Sequence, residues 1–135
     1  MKIILADANV IGQVEYLVRR MQAQPWGEFW SGLDLVLQRF EDVGLDASST
    51  DLEIWQTCQD EQLILVTDNR NRNSDDSLEA AIRNHNGPNS LPIFTISKMS
   101  RFATSSSYVD KVVKKFYEYL IDFDSVLGAG RIYLP

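Results

Sequence analysis

Leu63–Thr67 reads LILVT, four apolar residues in a row that stop at Thr and then Asp68. A half-exposed strand would alternate apolar and polar residues. An uninterrupted short run predicts a strand covered on both faces, as in a parallel sheet between helical layers. The rest of the chain supplies matching pieces. Residues 2–6 form a second apolar run ending at Asp7, and 91–97 a third. Residues 10–21 place Val10, Val14, Leu17, Val18 and Met21 at helical spacing. Residues 26–40 continue in helical fashion through Phe29, Trp30, Leu33, Val36, Leu37 and Phe40, and 41–45 form a very short strand. Helices are expected over 51–60, 77–83 and 108–122, and an edge strand over 132–134. This alternation predicts an α/β fold: three layers, α/β/α, around a mostly parallel sheet of four to five strands, as a single domain over 1–135.

In such sheets ligands bind beyond the carboxyl ends of the strands. The residues just past the strands are therefore the candidates: Asp7 and Asn9, Asp68 and Asn69, Ser97 and Lys98. If the strands carrying Asp7 and Asp68 are neighbours, about 5 Å apart, their carboxylates converge. Converging carboxylates repel and call for a cation, a shared proton or solvent. All-oxygen ligands suit Mg²⁺ or Mn²⁺. Asp51 and Glu53, then Asp75 and Asp76, add further acids. Each pair also has a structural reading. Thr50-x-x-Glu53 is a capping box, and Asp76 with Glu79 fits the same pattern with Asp76 as N-cap.

Arg70, Arg72, Lys98 and Arg101 lie close to the proposed rim and suit phosphate contacts. Lys111, Lys114 and Lys115 read as a solvated helix face. His85, the only histidine, reads as a helix-end residue, Cys58 as a buried core thiol, and the Trp and Tyr residues mostly as core. No Walker-type loop and no GxGxxG occurs, and Gly128-x-Gly130 is too short for a nucleotide loop. The net charge of −6 disfavours bulk electrostatic attraction to nucleic acid but permits a local basic rim. The apolar runs are far shorter than the roughly 20 residues a membrane span needs. With one cysteine and no signal-peptide pattern at the N-terminus, a cytoplasmic protein is expected.

The stretches MKIILADANV and SSTDLEIWQTCQDEQLILVTDNRN resemble the PIN-like domains, in particular short bacterial members with a strand-one Asp-x-Asn motif. The resemblance implies a Mg²⁺- or Mn²⁺-dependent endoribonuclease hydrolysing single-stranded RNA, of the kind found as toxin–antitoxin components. It also implies an antitoxin-like protein partner and a homodimer. Asp7 would match the strand-one acid, Asp51 or Glu53 the acid of the central helix, and Asp68 the acid after the later strand. Asp7, Asp68 and Glu53 would then be catalytic, with Asp7, Asp51, Glu53, Asp68, Asp75 and Asp76 as the pool of metal ligands. Asn9, Asn69, Arg70, Asn71, Arg72, Lys98 and Arg101 would contact substrate. Asn69 and Asn71 depart from the pattern, which has a further acid two residues after the last one. That departure leaves two outcomes, a last ligand shifted to Asp75 or Asp76, or a catalytically degenerate module that binds RNA or protein. A signalling receiver domain is a rival using Asp68, Thr95 and Lys98. Against it stand the single acid in Ala6-Asp7-Ala8 and the helical character of residues 13–61.

Overall fold

The computed structural model describes residues 1–70 and 77–135. Five strands, β1 (Lys2–Ala6), β2 (Leu35–Gln38), β3 (Leu63–Thr67), β4 (Ile93–Ile96) and β5 (Arg131–Leu134), form one sheet. Their order is β2-β1-β3-β4-β5, and every pairing is parallel. The described residues also form five α-helices: α1 (Ile11–Gln22), α2 (Gly27–Gly32), α3 (Asp51–Asp60), α4 (Leu78–His85) and α5 (Ser106–Ile121).

The alternation of side chains along each strand divides the core in two. Ile4, Ala6, Ile64, Val66, Phe94, Ile96 and Leu134 face one way, against Val14, Leu17 and Met21 of α1 and Val109, Val113 and Phe116 of α5. Leu5, Leu63, Leu65 and Ile93 face the other way, against Ile54, Trp55 and Cys58 of α3 and Leu78 and Ala81 of α4. Burial on both sides is why β3 carries an unbroken apolar run, with all five residues buried. The layers are therefore α/β/α, as the sequence predicts.

Residues 26–40 depart from the expected helix. The chain forms only the short α2, turns at Asp34 with φ of 53°, and continues as edge strand β2. The i, i+3, i+4 spacing of Leu33, Val36 and Leu37 is coincidental here, because Leu35 and Leu37 both join the α1/α5 core, as period two requires. The strand expected over 41–45 is replaced by a 3-10 turn, Phe40–Val43, closed by Gly44 with φ of 80°. The N-cap of α4 is Ser77, whose hydroxyl accepts from the Ala80 N–H at 3.1 Å, rather than Asp76. Asn71, Arg72, Asp75 and Asp76 lie outside the described residues.

Gly128 and Gly130 serve the backbone. Both have positive φ (83° and 82°), and a Cβ at Gly128 would meet the Pro88 carbonyl oxygen at 2.8 Å. They bring the chain tightly under the α4–β4 connection and into β5. Among the described residues no helix is long and apolar enough to cross a membrane.

Candidate active site at the C-terminal end of the sheet

β1 pairs with β3 in the register Ala6↔Val66, so Asp7 emerges beside Thr67 at the point where the strand order reverses. This is where open α/β sheets present a crevice. A cleft of about 70 Å³ lies here, lined by residues that include Asp7, Asn9, Asp46, Ser49, Asp51 and Asn69. Its carboxylates come from the β1 end, the loop before α3, and the first turn of α3.

Asp7 is 7% exposed and held at both oxygens. Oδ1 accepts from the Asn9 N–H at 3.1 Å, which caps a 3-10 turn, and Oδ2 accepts from the Thr67 hydroxyl at 2.6 Å. Thr67 Oγ1 in turn accepts from the Asn69 N–H at 3.0 Å. The Asn69 side-chain amide donates to Asp51 Oδ2 at 3.0 Å, and the Leu78 N–H at the start of α4 donates to the same oxygen, also at 3.0 Å. Asn69 and Thr67 thus link the two acids: the Asn69 N–H bonds the hydroxyl that Thr67 donates to Asp7, and the Asn69 side chain bonds Asp51. A carboxylate at position 69 would have no proton to donate and would repel Asp51. The neutral residue is what lets this arrangement stand on protein hydrogen bonds.

Asp46 is held below the usual carboxylate range. The Ser48 hydroxyl and N–H both donate to it, at 2.5 and 2.8 Å. Behind the cleft, burial together with the negative charge of Asp7 pushes the Cys58 thiol up to about 12.

The predicted residues separate in space. Asp7, Asn9, Asp51 and Asn69 meet at the cleft. Glu53 does not line it. Its Oε1 accepts from Thr50 Oγ1 at 3.1 Å and from the Thr50 N–H at 3.4 Å, while its own N–H donates back to Thr50, completing the capping box. Asp68 is exposed. Thr67 and Asn69, joined by the Asn69 N–H to Thr67 Oγ1 bond, belong to the network, while Asp68 between them is exposed. Among the described residues no three His, Cys, Asp or Glu side chains are grouped so as to hold a metal ion.

No family model, curated protein or solved structure matches this chain.

The basic rim lies along the other half of the sheet end. Arg70 is exposed, donates to the Ser97 carbonyl and sits 5.8 Å from the Tyr133 ring centroid. Lys98 is exposed, its N–H donating to the Tyr108 hydroxyl at 3.0 Å, and the exposed Arg101 lies 6.0 Å from the Tyr108 ring. Burial pushes the Tyr108 hydroxyl up.

Three residues of this region were not among the sequence candidates. Asp46 hides in an ordinary-looking turn, DASS, where only the cleft reveals its use. Arg131 is 5% exposed at its side chain and bonds Glu79 at 3.1 and 3.2 Å, the Asn69 carbonyl at 2.8 Å and Thr95 Oγ1 at 2.6 Å. A lone charge opening an edge strand was its signal. Tyr133 is 43% exposed, contrary to the core reading of the tyrosines.

Proposed function

We propose that the chain is a Mg²⁺- or Mn²⁺-dependent endoribonuclease that hydrolyses phosphodiester bonds of single-stranded RNA in the cytosol. One observation carries this reading: Asp7 and Asp51, from two different parts of the chain, line one small cleft and are joined there through Thr67 and Asn69. The donor set is all oxygen on the acid side, which suits a hard cation. Mg²⁺ is commonly held by one or two carboxylates with water completing its octahedron, so a site short of three grouped acids fits it.

Asp7 and Asp51 would hold the ion, with Asp46 at the cleft wall contributing charge. When bound, the ion supplies positive charge against the phosphate oxygens and lowers the pKa of a coordinated water. The chain's own residues do the remainder. The Thr67 and Asn9 hydrogen bonds fix Asp7 before substrate arrives, so no reorganisation is needed at the reacting centre. Asp68 is exposed and lies outside the cleft lining, so it takes no part in holding the ion. Arg70, Lys98 and Arg101 receive the phosphates on either side. Glu53 keeps its cap role in this mechanism.

A second reading, a non-catalytic RNA-binding module, is favoured by one feature. The Asn69–Asp51 bond satisfies an acid without a metal. Cleavage of a labelled single-stranded RNA in Mn²⁺ separates the two. The wild type should cleave and Asp7→Asn, with an unchanged circular dichroism spectrum, should fall to background. Equal cleavage by Asp7→Asn overturns the nuclease reading, and no cleavage by the wild type favours the module.

A further inference from the structure

Tyr133 is one of few large apolar side chains left exposed, and its surroundings are chemically unusual. Thr67, Thr95 and Tyr133 occupy one row of the sheet through the registers Thr67↔Thr95 and Thr95↔Tyr133, and Asp7 extends that row on β1. Three strand spacings put Asp7 and Tyr133 roughly 14 Å apart along this line. Tyr133 shares its face of the sheet with Arg131, two residues earlier, and so lies on the α3/α4 side, the side of the cleft. Arg131 is 6.0 Å from its ring centroid and Arg70 5.8 Å. Arg131 is immobilised by Glu79, Thr95 and the Asn69 carbonyl, while Arg70 is at the surface. The result is an exposed aromatic ring backed by a fixed guanidinium and flanked by a second one, next in sequence to the residue that bridges the two cleft acids.

An aromatic face beside arginines is a surface for an unpaired nucleobase. The ring stacks on any base, the guanidinium adds cation–π attraction, and the same cation takes an adjacent phosphate. A paired strand cannot use it, because its bases are stacked inward. We propose that Tyr133, with Arg70, is a base-stacking platform that receives an unpaired nucleotide of a single-stranded nucleic acid a few residues away from the phosphate at the acidic cleft. This rests on the nucleic-acid part of the reading above and not on cleavage.

The test measures binding without divalent ions, in EDTA, so that catalysis plays no part. The probes are a fluorescein-labelled uridine dodecamer, the same length of thymidine, and an abasic dodecamer. Tyr133→Ala should weaken binding of the uridine dodecamer by roughly ten- to a hundredfold. Tyr133→Phe should bind like the wild type, because the ring and not the hydroxyl does the stacking. Affinity for the abasic strand should be the same for wild type and Tyr133→Ala. Equal loss on uridine and thymidine strands assigns the platform to the base, and loss on uridine alone adds a 2′-hydroxyl contact. The position is on an edge strand and partly exposed, so both variants should fold, checked by their melting temperatures. The proposal is overturned if Tyr133→Ala binds uridine strands like the wild type, if Tyr133→Phe is as weak as Tyr133→Ala, or if the wild type binds no strand. If binding depends on Tyr133 as stated while no RNA is cleaved in Mn²⁺, the nuclease reading fails and the platform stands.

Discussion

Two buried charges sit at the same end of the sheet and are handled in opposite ways. Arg131, on β5, is neutralised by Glu79 and fills its remaining donors with the Asn69 carbonyl and the Thr95 hydroxyl. Asp7, just past β1, accepts from two neutral donors among the described residues, the Asn9 N–H and the Thr67 hydroxyl. The first is a closed ion pair that ties β5 to α4 and β3. The second is a hydrogen-bonded carboxylate that lines a cleft together with Asp46 and Asp51. An ion pair at one place and a hydrogen-bonded carboxylate opening on a cleft a few strands away is the pattern of a scaffold holding a site. Asn69 belongs to both, its carbonyl taken by Arg131 and its amides serving Thr67 and Asp51.

The comparison can be broken most forcefully from the Arg131 side. Arg131→Met strands Glu79 and leaves the Asn69 carbonyl and Thr95 without their donor. It should cost about 3 kcal/mol in urea unfolding, in the range for breaking a buried pair by removing one partner. A loss below about 1 kcal/mol, the scale of a surface pair, would make the Arg131 network incidental.

A smaller and more informative effect is expected at Asn69. Asn69→Asp removes the donor to Asp51 and places like charge against it, which should cost about 1–2 kcal/mol in EDTA. Saturating Mn²⁺ should narrow that deficit, since a cation relieves the repulsion and binds only the folded state. Wild-type stability of this variant in EDTA would show that the bridge is not what holds Asp51.

The smallest effect concerns the thiol behind Asp7. The folded state holds the Cys58 pKa at about 12 against an ordinary 9.0, through burial first and Asp7 second. Between those values the unfolded chain gives up a proton that the folded chain keeps, so stability is full below pH 9 and falls as pH rises. The loss should be about 1.4 kcal/mol by pH 10, and Cys58→Ala should remove most of it. Tyr117, pushed up to about 12 from 10.0 by burial, adds a similar loss only at higher pH. A pH-independent wild type between 9 and 10 would show that the thiol is not shielded as described.

The sequence was most readable where one physical demand acts alone. The unbroken run of β3 has to be covered twice, and the adjacency of β1 and β3 that would bring Asp7 and its partner strand together is what the sheet displays. It was least readable where two patterns overlap. Leu33, Val36 and Leu37 fit a helix by spacing while Leu35 and Leu37 serve as a strand, and only pairing with β1 decides between them. That hidden strand also removes one objection to a receiver-like topology, while the single acid of Ala6-Asp7-Ala8 remains against it. At the site, Asp7 was legible as an acid at a strand end, although its hydrogen bonds to Asn9 and Thr67 were not. Asp68 and Asn69 exchanged expectations: which of two neighbours turns inward depends on strand phase at its last residue. Asp46 and Arg131 become visible only through long-range register and packing.

A cation site in the cleft lined by Asp7 and Asp51 is tested directly by an equilibrium Mn²⁺ titration followed by electron paramagnetic resonance. The wild type should show a saturable Mn²⁺ site that is lost in Asp7→Asn and in Asp51→Asn and retained in Glu53→Gln. Absence of a saturable site in the wild type, or one that persists when Asp7 and Asp51 are both replaced by Asn, would contradict it.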